Sequence, residues 1–104
     1  MTLEELKTAL DATHLQVSYS SVPIESETKP YIVYWQTGVR NFAADGIAYY
    51  SRKTVTIALY SDNRDRTSEG LIEAQLANSG IYWTKTNEFL EDEKIFETIY
   101  TIEV

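Results

Sequence analysis

Cysteine is absent from the chain, which excludes disulfides, thiol nucleophiles and cysteine-ligated zinc or iron–sulfur centres. Histidine occurs once, at His14, three residues after Asp11. A Ser–His–Asp arrangement can be written for any chain holding the three residue types, but no Gly-x-Ser-x-Gly elbow accompanies this one. His14 therefore reads as a surface or helix-end residue. The four glycines, at 38, 46, 70 and 80, are too scattered to form a loop that cradles phosphate. No run approaches the ~18 apolar residues needed to cross a bilayer, and no basic-then-apolar signal pattern opens the chain. A soluble product, intracellular when made, is the expectation. Basic residues are also scarce: nine Lys and Arg face sixteen Asp and Glu, for a net charge of -7. Binding to a phosphate backbone is driven by clustered positive charge, so nucleic-acid recognition is not expected; the acidity argues mainly for solubility.

What the chain does have is aromatic and β-branched surface. Hydrophobic residues make up 43% and aromatics 12%, with eight Tyr, two Trp and three Phe. A chain of 104 residues fits one domain, 1–104, able to bury roughly 65% of the surface that its unfolded form exposes. The central stretch is Val55–Tyr60. Val55, Ile57 and Leu59 fall on one side of a pleated strand, and Thr54, Thr56, Ala58 and Tyr60 on the other. With both sides uncharged, it suits the interior of a sheet.

Around this strand the other elements fall in order. Thr2-Leu-Glu-Glu5 is a capping box, and Leu3, Leu6, Ala9 and Leu10 continue it as a short amphipathic helix over about Leu3–Ala12. Leu15, Val17 and Tyr19 alternate with polar residues as a first strand. Ser21–Pro30 reads as an exposed loop, and Tyr31–Gln36 as a second strand. Thr37–Gly46 reads as a second loop, closed by the turn dipeptide Asp45-Gly46. A long strand over about Ile47–Tyr60 follows; its first part is expected to pair antiparallel with the Tyr31 strand. Arg52-Lys53 in its middle suggests a bend, a bulge or an end that protrudes beyond the sheet. Asp65 caps a second helix packed through Leu71, Ile72, Ala74 and Leu76, with Gly80 closing it. Ile81–Thr86 and Ile95–Val104 form a last pair around an acidic loop, 87–94. The fold class is therefore α+β: a mainly antiparallel sheet of about five strands with two helices on one face, in the order α-β-β-β-α-β-β.

Few side chains suggest chemistry. Asp62-Asn-Arg-Asp65 and Glu91-Asp-Glu93 hold carboxylates but lack the alternating ligands, glycine and distant Glu of a calcium loop. They read as a helix cap and a solvated hairpin tip, and neither a metal nor a cofactor is expected. Arg40, Arg52, Lys53, Arg64 and Arg66 lie towards the two ends of the central strand, whereas the acids concentrate elsewhere. Solvated positions account for these; segregated charge can also orient like subunits head to tail. Trp35, Tyr49, Tyr50, Tyr60, Tyr82 and Trp83 exceed what one small core needs, so core burial and interface anchoring both stay open for them.

Several short words then carry a resemblance: Tyr31-Ile-Val-Tyr-Trp35, Asn41-Phe-Ala-Ala-Asp-Gly46 and Thr56-Ile-Ala-Leu-Tyr-Ser61. Asp65 opening a helix, Gly80-Ile-Tyr-Trp83 and Glu91-Asp-Glu-Lys-Ile-Phe-Glu-Thr-Ile-Tyr100 complete it. From about residue 30 onward the chain resembles the tail-terminator, or tail-completion, proteins of siphophages infecting Gram-positive bacteria, which share the general plan of the lambda-type terminator. Arg66 stands where a Pro is expected after the helix-opening Asp. The resemblance implies a non-enzymatic virion protein that forms a ring, commonly hexameric, on the head-proximal end of the tail tube. It would end tube growth and be found in the host cytoplasm during assembly. Its implied partners are other copies of itself, the tail-tube protein and the head connector or head-completion protein. Loops 21–30 and 37–46 and the Arg52-Lys53 region would make the contacts, which places Arg40, Phe42, Asp45, Arg52, Lys53, Arg64 and Arg66 as candidate interface residues. A head-side adaptor ring is the alternative within this class. A small acidic regulatory or inhibitory binding protein, motivated by the net charge, is the alternative from another.

Overall fold

The computed structural model describes residues 2–19, 30–44, 47–91 and 95–104; over 40–44 and 47–52 it describes the backbone. The order is α1 (Leu3–Asp11), β1 (Gln16–Tyr19), β2 (Tyr31–Ala44), β3 (Ile47–Ser61), α2 (Arg66–Asn78), β4 (Trp83–Leu90) and β5 (Ile95–Glu103). The α+β class and its order agree with the expectation from sequence.

α1 opens on the capping box. Thr2 Oγ1 accepts from the Glu5 N–H at 3.1 Å, and Glu5 Oε1 accepts from the Thr2 N–H at 3.2 Å. The two bonds satisfy amides that a helix start otherwise leaves without partners. Its periodic leucines, Leu6 and Leu10, are fully buried. The helix stops one residue before Ala12, which serves as its C-cap. His14 follows at φ 64°, exposed, in the left-handed region that releases the chain from the helix.

The five strands form one sheet in the order β1-β2-β3-β5-β4. β3 is interior, as its two uncharged sides require, with β2 and β5 both antiparallel to it. β1 runs parallel to β2, so the sheet is mixed. Ile32 and Tyr34 of β2, Val55, Ile57 and Leu59 of β3, and Tyr100 and Ile102 of β5 share one face. They pack against Leu6 and Leu10 of α1 and Ile72 and Leu76 of α2. The opposite face carries Val33, Trp35 and Ile99, all half-buried, and the stacked rings of Tyr31 and Tyr60, 5.2 Å apart.

Three expectations need correction. First, Thr37–Ala44 is strand, not loop: β2 continues through it to form one long ladder with β3, and of the expected loop only Asp45 and Gly46 lie outside the described residues. Tyr31–Gln36 therefore pairs with Val55–Tyr60, the second part of β3, while Gly38–Ala44 pairs with the first. The ladder absorbs the polar stretch by a bulge: its register jumps between Gln36 and Gly38, opposite Val55 and Thr54, and Thr37 Oγ1 donates to the Thr54 carbonyl at 3.3 Å. Second, α2 buries Ile72 and Leu76 as expected, but its packed stripe is completed by other residues. Leu71 and Ala74 are exposed, whereas Ser68, Glu69, Ile72 and Leu76 are buried. Third, Asn87–Leu90 belongs to β4. The 21–29 segment and residues 92–94 lie outside the described residues.

Candidate functional site

The ladder between β2 and β3 outruns the rest of the sheet. β1 accompanies β2 only from Tyr31 to Tyr34, and β5 accompanies β3 only from Thr54 to Ser61. A last pair of backbone bonds at 2.8 Å joins Lys53 to Val104. Past that point, Arg40–Ala44 and Ile47–Arg52 continue as a ribbon with no third strand among the described residues. Five residues at about 3.3 Å each make an arm of about 17 Å. The molecule is correspondingly long, 50 × 28 × 23 Å.

The arm gathers four of the candidate residues. The register sets Arg40 across from Arg52, Val39 across from Lys53, and Phe42 across from Tyr50. Val39 is 54% exposed, and Lys53 is exposed beside it. Its sequence is rich in apolar residues, with Phe42, Ala43, Ala44, Ile47, Ala48, Tyr49 and Tyr50 on either side of Asp45 and Gly46 in the chain. An isolated two-stranded ribbon is only marginally stable in water, so such an arm is stabilised by whatever packs against it. Asp45 lies outside the described residues.

Arg64 and Arg66 lie apart from this group, at the opposite end of β3 where α2 begins. Asp65 caps that helix as expected: Oδ1 accepts from the Ser68 N–H at 3.0 Å, and Oδ2 accepts from the Ser68 hydroxyl at 2.8 Å. Arg64 Nε donates to Glu69 Oε2 at 3.4 Å, and Arg66 is exposed. The seven candidates thus form no single patch: four lie along the arm and two beside α2.

Under α2 lies a polar network that the sequence reading passed over. Glu69 is 2% exposed, and Lys85 of β4 donates to Glu69 Oε1 and to Glu73 Oε2, each at 3.1 Å. The Tyr100 hydroxyl donates to Glu73 Oε2 at 2.9 Å. Burial raises the Tyr100 pKa well above the usual phenol range, and the hydrogen bond to Glu73 adds to the shift. Burial works to lower the Lys85 pKa, but hydrogen bonds to Glu69 and Glu73 outweigh it and the net shift is upward. The signal was available in the spacing Glu69, Ile72, Glu73, Leu76, one helical stripe with two acids in it. Every buried polar side-chain atom among the described residues has a partner. The network reads as a clamp that fixes α2 to β4 and β5.

Asp11 engages Lys7 at 2.9 Å. Among the described residues no group of three or more His, Asp or Glu side chains is placed to hold a metal ion. No described helix is long and apolar enough to cross a membrane. Tyr82, 84% exposed, projects from the start of β4 beside an open groove that Gly80, Thr54 and Glu103 help to line.

No family model matches the chain, and comparison with curated proteins finds no relative. Among solved structures, the chain is similar to a component of a particle described as the virion of a native gene transfer agent. That likeness has a TM-score of 0.66 at 12% identity and covers 94% of this chain and 88% of the other. The two share a fold over nearly their whole lengths.

Proposed function

We propose that the chain is a structural subunit of a phage-type virion. In this reading it caps the head-proximal end of a tail tube as a ring, ends tube growth and forms part of the head–tail joint. The observation that carries the proposal is the near-complete overlap of its fold with a component of a gene transfer agent virion. The projecting arm supports it, since a ribbon without a third strand suits a subunit that completes its packing in an assembly. Its partners would be other copies of itself, the tail-tube protein and the head connector.

Electron microscopy of lysates lacking the protein tests this reading. Abnormally long tails are the expected result. Normal tails beside unattached heads would move the protein to a head-side adaptor ring, and unaltered virions would remove it from the particle.

A further inference from the structure

Two like-charge pairs of opposite sign stand at separate places on the sheet. On the arm, the β2–β3 ladder sets Arg40 across from Arg52, with Lys53 next in line. On the other side, the β4–β5 ladder sets Glu88 across from Glu97, with exposed Glu91 one turn beyond. Like charges directly opposite one another weaken a ladder, so each pair favours a partner of the other sign. They cannot meet within one chain. Glu97 pairs with Tyr60 of β3, and eight residues of that strand, about 26 Å, separate Tyr60 from Arg52. The arm leads away from the acids, so the distance only grows along it.

A second copy of the chain offers each pair a partner pair of the opposite sign. β4 is the edge strand of the sheet, paired with β5 over eight positions, Trp83–Leu90, without a bulge or a proline. Its outer side carries no ladder among the described residues. The β2 strand of the arm, whose outer side carries no ladder from Trp35 to Ala44 among the described residues, is long enough to lie along that edge. Unpaired edges of this kind are templates for strand addition.

We propose that the basic arm of one copy docks along the acidic β4 edge of the next, Arg40 and Arg52 against Glu88 and Glu97, by strand pairing. This rests on the assembly reading above and names the surfaces that would perform it. Donor and acceptor are different surfaces, so the contact is head-to-tail, and repetition closes a ring or propagates a filament. The charges select the partner and the direction of docking.

The test uses two doubly substituted chains and the mass of the native particle. Arg40→Glu/Arg52→Glu has an acidic arm and an acidic edge; Glu88→Lys/Glu97→Lys has a basic arm and a basic edge. The wild-type chain is expected to be oligomeric, with dissociation promoted by salt. Each variant alone is expected to stay monomeric, and an equimolar mixture to reassemble, because every arm then meets an edge of opposite sign. Reassembly also shows that both variants are folded. The proposal is overturned if the wild type is monomeric, if either variant assembles alone as the wild type does, or if the mixture stays monomeric. A wild type present in virions whose variants assemble unaided would sink this docking while leaving the virion role standing; absence from virions would sink the role itself.

Discussion

One pair of strands runs through two environments. Between Tyr31–Gln36 and Val55–Tyr60, the β2–β3 ladder is flanked by β1 as far as Tyr34 and by β5 along its whole length, and covered on one face by both helices. Between Arg40–Ala44 and Ile47–Arg52 it has neither flank among the described residues. The inner half is the richer in β-branched and aromatic residues, and the outer half carries Gly38, Arg40, Asn41 and Arg52. The neighbours differ as well, and stability should follow the neighbours.

Substitutions sharpen that comparison, and the largest effect belongs to the inner half. Ile57 is fully buried at its centre. Ile57→Asp should abolish folding, because a carboxylate would be buried there without a partner; a soluble variant with a cooperative melting transition would refute the core assignment. Ile57→Ala should cost about 2–5 kcal/mol in denaturant unfolding, the range for truncating a buried aliphatic side chain.

Tyr100→Phe should have an intermediate effect. It deletes the hydroxyl that donates to Glu73 and leaves the ring in place, at a cost of about 1–2 kcal/mol. The phenol's pKa is raised in the folded state, so its contribution is fully present below the unfolded-state value of 10.0 and is lost as pH rises towards the folded-state value. The melting temperature should therefore hold from about pH 7 to pH 9.5 and fall above about pH 10, with a shallower fall in Tyr100→Phe. The smallest effect belongs to the arm. Val39→Ala, at a position 54% exposed, should change the stability of the isolated subunit by no more than about 0.5 kcal/mol. A loss there comparable to that of Ile57→Ala would erase the distinction between the two halves.

Where local chemistry decides structure, the sequence was readable. The Thr2–Glu5 box, the Asp65 cap and the positive φ of Gly80 are specified by a few adjacent residues, and all three are present. The interior position of Val55–Tyr60 followed from its two uncharged sides. Longer-range effects were harder to read. Thr37–Ala44 contains Gly38, Arg40 and Asn41 and looks like a loop; the β3 partner opposite, with a bulge at Thr37, holds it extended. In α2, Ile72 and Leu76 were legible as core, whereas apolar Leu71 faces outward and Ser68 and Glu69 take the inner places. Glu69 is buried because Lys85 lies sixteen residues away to meet it, a pairing that no local window reveals. The candidate basic residues were identified by type alone, and only the register separates Arg40, Arg52 and Lys53 from Arg64 and Arg66.

The sheet order has a consequence for how the molecule comes together. β5 follows β4 in the chain yet sits inside it, between β4 and β3. The outermost strand reaches the sheet only through its successor, so hydrogen exchange should show the β4 amides becoming protected no earlier than those of β5. Deleting residues 95–104 would remove β5 and leave β4 without a ladder, tethered by Trp83 against the core and Lys85 against α2.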